Sequence, residues 1–71
     1  MQLRLGDILR FEKSGGGWTG IARVSCCEGT TYILEEVGDD YWFEFDPETL
    51  TLTVGGTDTV IEYESVHKLP A

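Results

Sequence analysis

Turn-forming residues break this chain roughly every seven to ten positions, at Gly6-Asp7, Ser14 to Gly17, Glu28-Gly29, Gly38 to Asp40, Asp46 to Thr49 and Gly55-Gly56. The segments between them leave little room for a helix, and their apolar residues are mostly β-branched or aromatic and alternate with polar ones. A period of two sends neighbouring side chains to opposite faces of a strand, so the chain is expected to be all-β.

Asp7 to Glu12 is the first expected strand, with Leu9 and Phe11 on the core side and Ile8, Arg10 and Glu12 opposite. Ser14 to Gly17 follow, and three successive glycines lose so much freedom on ordering that they mark a mobile loop. No helix pattern with a Gly-Lys-Ser/Thr ending comes after them, which excludes a phosphate cradle. Strand character resumes from Trp18 through Cys27, with Ala22, Val24 and Cys26 expected inward and Cys27 outward. In Thr30 to Val37, Tyr32 and Leu34 alternate with Thr31, Ile33 and Glu35, so both faces carry apolar area, as in the central strand of a curved sheet.

Past the turn at Gly38 to Asp40, Tyr41, Phe43 and Phe45 are expected inward and Trp42 and Glu44 outward. Asp46 to Thr49 fits a type I turn, with Pro47 at its second position. Leu50, Leu52 and Val54 then alternate with threonines, and Thr57 to Glu64 returns with Ile61 and Tyr63 opposed to Val60, Glu62 and Glu64. Ser65 to Leu69, ahead of Pro70, is expected to form one 3₁₀ or helical turn.

Short strands with no helix to cover a face hide their edges best by curling. The expected fold is a small SH3-like barrel or a strongly curved antiparallel meander of five to six strands. Leu5, Gly6, Asp7, Ile8 and Leu9, followed by a glycine-rich loop and Gly20 ahead of another strand, resemble the opening of SH3-like barrels, KOW-type modules among them. The resemblance covers about the first third of the chain and implies the fold. It transfers no binding residues, because nucleic-acid-binding KOW modules are basic and this chain is not.

With 71 residues, the chain is expected to be one domain spanning 1–71, near the size where a single core is marginal. Self-association is a common remedy at that size. The charge is lopsided: up to Arg23 four bases stand against two acids, and from Val24 onward Lys68 stands alone against eleven acids. A net charge of −8 repels phosphate backbones and anionic membranes, so neither is an expected partner. Adjacent Cys26 and Cys27 point to opposite faces of a strand and are not expected to pair. With no signal-like or membrane-length apolar run in the sequence, the expected compartment is the cytoplasm.

Seven carboxylates crowd the fourteen residues from Glu35 to Glu48, interleaved with Tyr41, Trp42, Phe43 and Phe45. The candidate partner-binding residues are Trp42, Trp18 at the loop edge, and the acids Glu35, Asp39, Asp40 and Glu44. Trp18 could flank the groove of Trp42 or cap the open end of the barrel. The acids lack a calcium-loop spacing, so no metal or other cofactor is expected. His67 is the one histidine, and no nucleophile-elbow pattern surrounds Ser25 or Cys27, so no catalytic residues are assigned.

The sequence reads as a non-catalytic acidic interaction module that binds a protein partner, a basic one matching its charge, or a second copy of itself through exposed aromatics. The alternative is an acidic nucleic-acid mimic that blocks a basic DNA- or RNA-binding enzyme, as phage and mobile-element inhibitors do. A carrier of small ligands would need a hollow barrel, and the core aromatics and aliphatics fill one this small.

Overall fold

A computed structural model describes residues 2–15 and 18–70. Among the described residues, seven strands follow in chain order: β1 (Ile8–Glu12), β2 (Gly20–Glu28), β3 (Thr31–Glu36), β4 (Trp42–Asp46), β5 (Thr51–Val54), β6 (Val60–Glu62) and β7 (Ser65–Lys68). They form one antiparallel sheet in the order β6-β5-β4-β3-β2-β1-β7. A flat sheet of that many strands would be about 30 Å wide and far thinner. The molecule instead measures 28 × 26 × 25 Å, because the sheet is strongly curved into an open half-barrel.

The two border strands, β6 and β7, are neighbours in the chain, separated by Tyr63 and Glu64. The Tyr63 amide donates to the Leu50 carbonyl at 2.9 Å, and the Glu64 amide donates to the Glu12 carbonyl at 3.2 Å. Successive residues thus bond to the chain beside β5 and to β1, next to opposite borders of the sheet, which draws its two ends together where a flat sheet would hold them apart.

Alternation along each strand fills the concave side. Leu9, Phe11, Ala22, Val24, Leu34, Phe45 and Leu52 are essentially inaccessible, with Phe43 and Tyr63 close behind. Phe11 sits among three rings, edge-on to Phe45 at 5.3 Å and to Tyr63 at 5.1 Å, the arrangement that ring quadrupoles favour. As expected, β3 is central. Its Leu34 is buried, while Ile33 is half-covered on the convex side.

Four expectations are corrected. Ser65–Lys68 is a strand and not a 3₁₀ or helical turn: it pairs with β1 from Leu9↔Lys68 to Glu12↔Ser65. Four residues satisfy few hydrogen bonds as an isolated helical turn, whereas here they cover an edge of β1 that would stand unpaired. The sheet accordingly has seven strands and not five or six.

Cys26, expected in the core, is exposed, as is Cys27. The register shifts between Val24 and Cys26, where Val24 faces Leu34 but Cys26 faces Ile33. That β-bulge reverses the alternation and turns Cys26 to the convex face. Tyr41, expected inward with Phe43 and Phe45, is 61% exposed, because it precedes β4 and lies beyond the end of the core row. Of the glycine loop, Gly16 and Gly17 lie outside the described residues.

Candidate protein-interaction surface

Residues directly opposed across an antiparallel sheet project to the same face, so the register lays out the convex surface. One row runs Arg23, Glu35, Trp42, and the next runs Cys26, Ile33, Glu44, Thr53, Val60. Trp42 therefore stands between Glu35 on the neighbouring strand and Glu44 two residues along its own. The indole is 42% exposed.

What holds the Trp42 ring is Gly55. The Gly55 amide donates to the Trp42 carbonyl at 2.8 Å, and the ring lies flat enough on Gly55 that a methyl group there would fall 2.2 Å from Cδ2 and Cε2. Only a residue without a side chain permits that approach. Beside the ring, Ile33, Glu35, Asp39, Asp40, Tyr41 and Trp42 enclose a shallow cleft of about 320 Å³.

Trp18 occupies the other side of the sheet. Its ring packs on Phe43 at 4.9 Å and Phe11 at 5.8 Å, and presses on Gly20, where a methyl group would lie 2.7 Å from Cζ2. Its Nε1–H donates to Glu36 Oε1, and its carbonyl accepts the Tyr63 hydroxyl at 2.5 Å. Burial drives the Tyr63 phenol up from 10.0 to about 12, since the phenolate would lose its hydration there. Trp18 thus caps the end of the core, and the two tryptophans line separate clefts that meet at Tyr41 and Asp39.

The charges are segregated. Arg10 Nε pairs with Glu12 at 2.9 Å, His67 Nε2 stands 3.8 Å from the same carboxylate, and Lys68 Nζ lies 3.3 Å from Asp7, all on the β1 and β7 side. The Arg4 amide bonded to Asp7, and then Lys68, hold that carboxyl below its usual range. Among the described residues, none of the seven acids from Glu35 to Glu48 forms an ion pair. Four of them accept internal hydrogen bonds: besides Glu36 at the Trp18 indole, Asp39 Oδ1 accepts the Asp40 amide at 2.7 Å, and Asp46 Oδ1 accepts the Glu48 amide at 2.9 Å, in turns that such caps stabilise. Glu35 accepts from the Ser25 hydroxyl at 3.2 Å.

Among the described residues, no group of three or more His, Cys, Asp or Glu side chains converges to hold a metal. Nor do Ser25, Cys27 and His67 meet. His67 faces Arg10, which faces Ile21, whereas Ser25 and Cys27 lie four and six residues further along β2, on the order of 13 to 20 Å away at strand rise. No helix among the described residues is long and apolar enough to cross a membrane.

Compared with known proteins, the chain matches no family model, no curated protein and no solved structure. The structure shows a small all-β domain with an aromatic cluster, part exposed and part buried, at the acidic end of the sheet. The sequence-based site residues leave out Glu36, present in the acidic segment, Tyr41, expected in the core, and Val54, which line the second cleft, as well as Gly55, which seats Trp42. The signal available for Gly55 was a glycine pair at the end of the strand that pairs back along the one carrying an outward tryptophan.

Proposed function

We propose that this chain is a non-catalytic interaction module whose convex face around Trp42 docks a protein of basic surface. One observation carries the reading: Trp42 is held in place against Gly55, remains 42% exposed, and stands between Glu35 and Glu44, neither of which forms an ion pair among the described residues. A fixed aromatic loses little conformational freedom on binding and so suits an anchor, while the surrounding carboxylates set the sign of the partner and speed encounter. The same carboxylates disfavour a symmetric dimer through this face, which would set Glu35 and Glu44 of two copies against each other.

Light scattering, followed by affinity capture from the source lysate, tests the reading with wild type and Trp42→Ala side by side. The variant is expected to stay folded by circular dichroism and to lose the partner retained by wild type. Unchanged retention would remove Trp42 from its central role.

A second reading, an acidic mimic of nucleic acid, is supported by the segregation of charge. Along β4, Glu44 and Asp46 project to one face at the two-residue repeat, roughly 7 Å apart, close to the separation of phosphates along a strand. A mimic owes its affinity mainly to ion pairing and would lose most of it in high salt, whereas docking through Trp42 retains a large salt-independent part.

A further inference from the structure

At the mouth of the half-barrel, Trp18, Tyr41, Phe43 and Val54 wall a cleft of about 360 Å³, into whose rim Glu36 and Asp39 bring two carboxylates. The volume is near the lower end of the roughly 300–1,000 Å³ typical of ligand pockets, which suits one inserted side chain better than a whole cofactor. Phe43 forms an almost inaccessible floor, Trp18 is half-covered, and Tyr41 stands 61% exposed as the outer wall.

From this geometry we infer that the cleft between Trp18 and Tyr41 receives an arginine side chain of the partner protein. The inference rests on the proposed docking function and assigns it a second contact, one the Trp42 face does not contain. Aromatic faces attract a cation through their quadrupole, and carboxylates at the rim complete its hydrogen bonds. A neutral apolar group would cover Glu36 and Asp39 without satisfying them, which opposes its entry. Glu36 already holds the Trp18 indole N–H through Oε1, so the tryptophan wall and one acceptor are fixed before any ligand arrives, and Oε2 remains to accept from it.

Guanidinium fits this arrangement better than ammonium. It is planar, stacks on rings, sheds water more readily and presents donors along two edges, enough for two separated carboxylates at once. The chain itself does not fill the role: among the described residues, neither Glu36 nor Asp39 forms an ion pair. Arg23, the basic side chain on the adjoining strand, belongs to the convex row with Glu35 and Trp42; it borders a different hollow with Glu36 and Asp39, pairs with neither, and does not line the Trp18 cleft. Because Tyr41 and Asp39 line both clefts, a partner segment crossing Tyr41 would place an arginine on one side of it while its neighbouring residues lie on Trp42 at the other.

The two indole N–H resonances, of Trp18 and Trp42, give a direct readout in ¹⁵N-labelled protein. Titration uses a glycine-flanked pentapeptide bearing one arginine, with citrulline and lysine versions as controls; citrulline has nearly the same shape and no charge. The arginine peptide is expected to shift the Trp18 resonance saturably, with the citrulline and lysine peptides about tenfold and several-fold weaker. Glu36→Gln, which retains an acceptor for the indole, is expected to weaken arginine binding about tenfold, and Glu28→Gln, at the far end of β2 and outside both clefts, to leave it unchanged. A Trp18 resonance that does not move, or moves equally with citrulline or lysine, overturns the assignment. Failure of the proposed docking function would appear elsewhere, as unchanged partner retention by Trp42→Ala.

Discussion

Replacing Gly55 by alanine probes the seat of Trp42 with a single methyl group. That methyl would stand 2.2 Å from two indole carbons, where carbon–carbon contact needs about 3.5–4.0 Å, so the ring must lift by more than 1 Å or leave its rotamer. Trp42 is 42% exposed, so more than half of its surface is covered. A tryptophan buries on the order of 150–250 Å² when fully enclosed, and releasing about 60–100 Å² of that at ~25 cal/mol per Å² costs about 1.5–2.5 kcal/mol. Gly55 does not have positive φ, so alanine there reduces unfolded-state entropy and returns about 0.4–1 kcal/mol.

The net expectation for Gly55→Ala is a loss of about 0.5–2 kcal/mol, a large share of the stability of a chain this small. Urea unfolding followed by far-ultraviolet circular dichroism measures it, with a red shift of tryptophan emission reporting the displaced ring. The decisive arm is the double mutant. In a Trp42→Ala background the clash is gone, so adding Gly55→Ala is expected to be neutral or mildly stabilising. Equal destabilisation in both backgrounds, or a neutral single mutant with unchanged emission, would refute the packing argument.

Tyr63 supplies an alkaline test. Its phenol is raised in the folded state, so the neutral form's stabilisation is present in full below pH 10 and is lost as pH rises from there through about 12. Tyr63→Phe is expected to cost about 0.5–1.5 kcal/mol at neutral pH, for the lost bond to the Trp18 carbonyl, and to lessen the decline in unfolding midpoint between pH 9 and 11.5; identical pH dependence in both proteins would contradict the assignment. Asp7 acts at the other end of the scale. Its carboxyl is depressed, so its contribution stands above the ordinary carboxylate range and disappears as pH falls through the lowered value. Asp7→Asn is expected to be less stable at neutral pH and to show a shallower acid-induced loss, read from unfolding midpoints at pH 7 and pH 3. Both thiols, Cys26 and Cys27, are expected to react promptly with a disulfide reagent in the native protein; a slow Cys26 would contradict the outward turn at the bulge.

Alternation made most of this fold legible. Leu9, Phe11, Ala22, Val24, Phe43, Phe45, Leu52 and Tyr63 all lie inward as their spacing requires, because a period of two leaves a strand with one apolar face a single choice; β3 is apolar on both faces, and its pattern left the inward turn of Leu34 open. The errors arose where local pattern gave way to non-local pairing. Cys26 follows a bulge, which no composition marks. Ser65–Lys68 carries no strong strand signal, and its structure comes from the free edge of β1, more than fifty residues earlier in the chain.

The site was half legible for a related reason. The outward direction of Trp42 and its acidic neighbours Glu35 and Glu44 follow from alternation and pairing. The Trp18 cleft needs Glu36, Tyr41 and Val54 from three segments brought together by curvature, and the curvature of a sheet is not written in any one strand.

The dissociation constant for the basic partner, measured across a salt series with wild type, Trp42→Ala and the Glu35→Gln, Glu44→Gln double variant, tests the central claim most directly. The account expects Trp42→Ala to lose about tenfold or more in affinity at every salt concentration, and the double variant to flatten the salt dependence while keeping most of the high-salt affinity. If Trp42→Ala binds as wild type does, and all affinity disappears with salt, the aromatic face is not the anchor and the acidic-mimic reading replaces it.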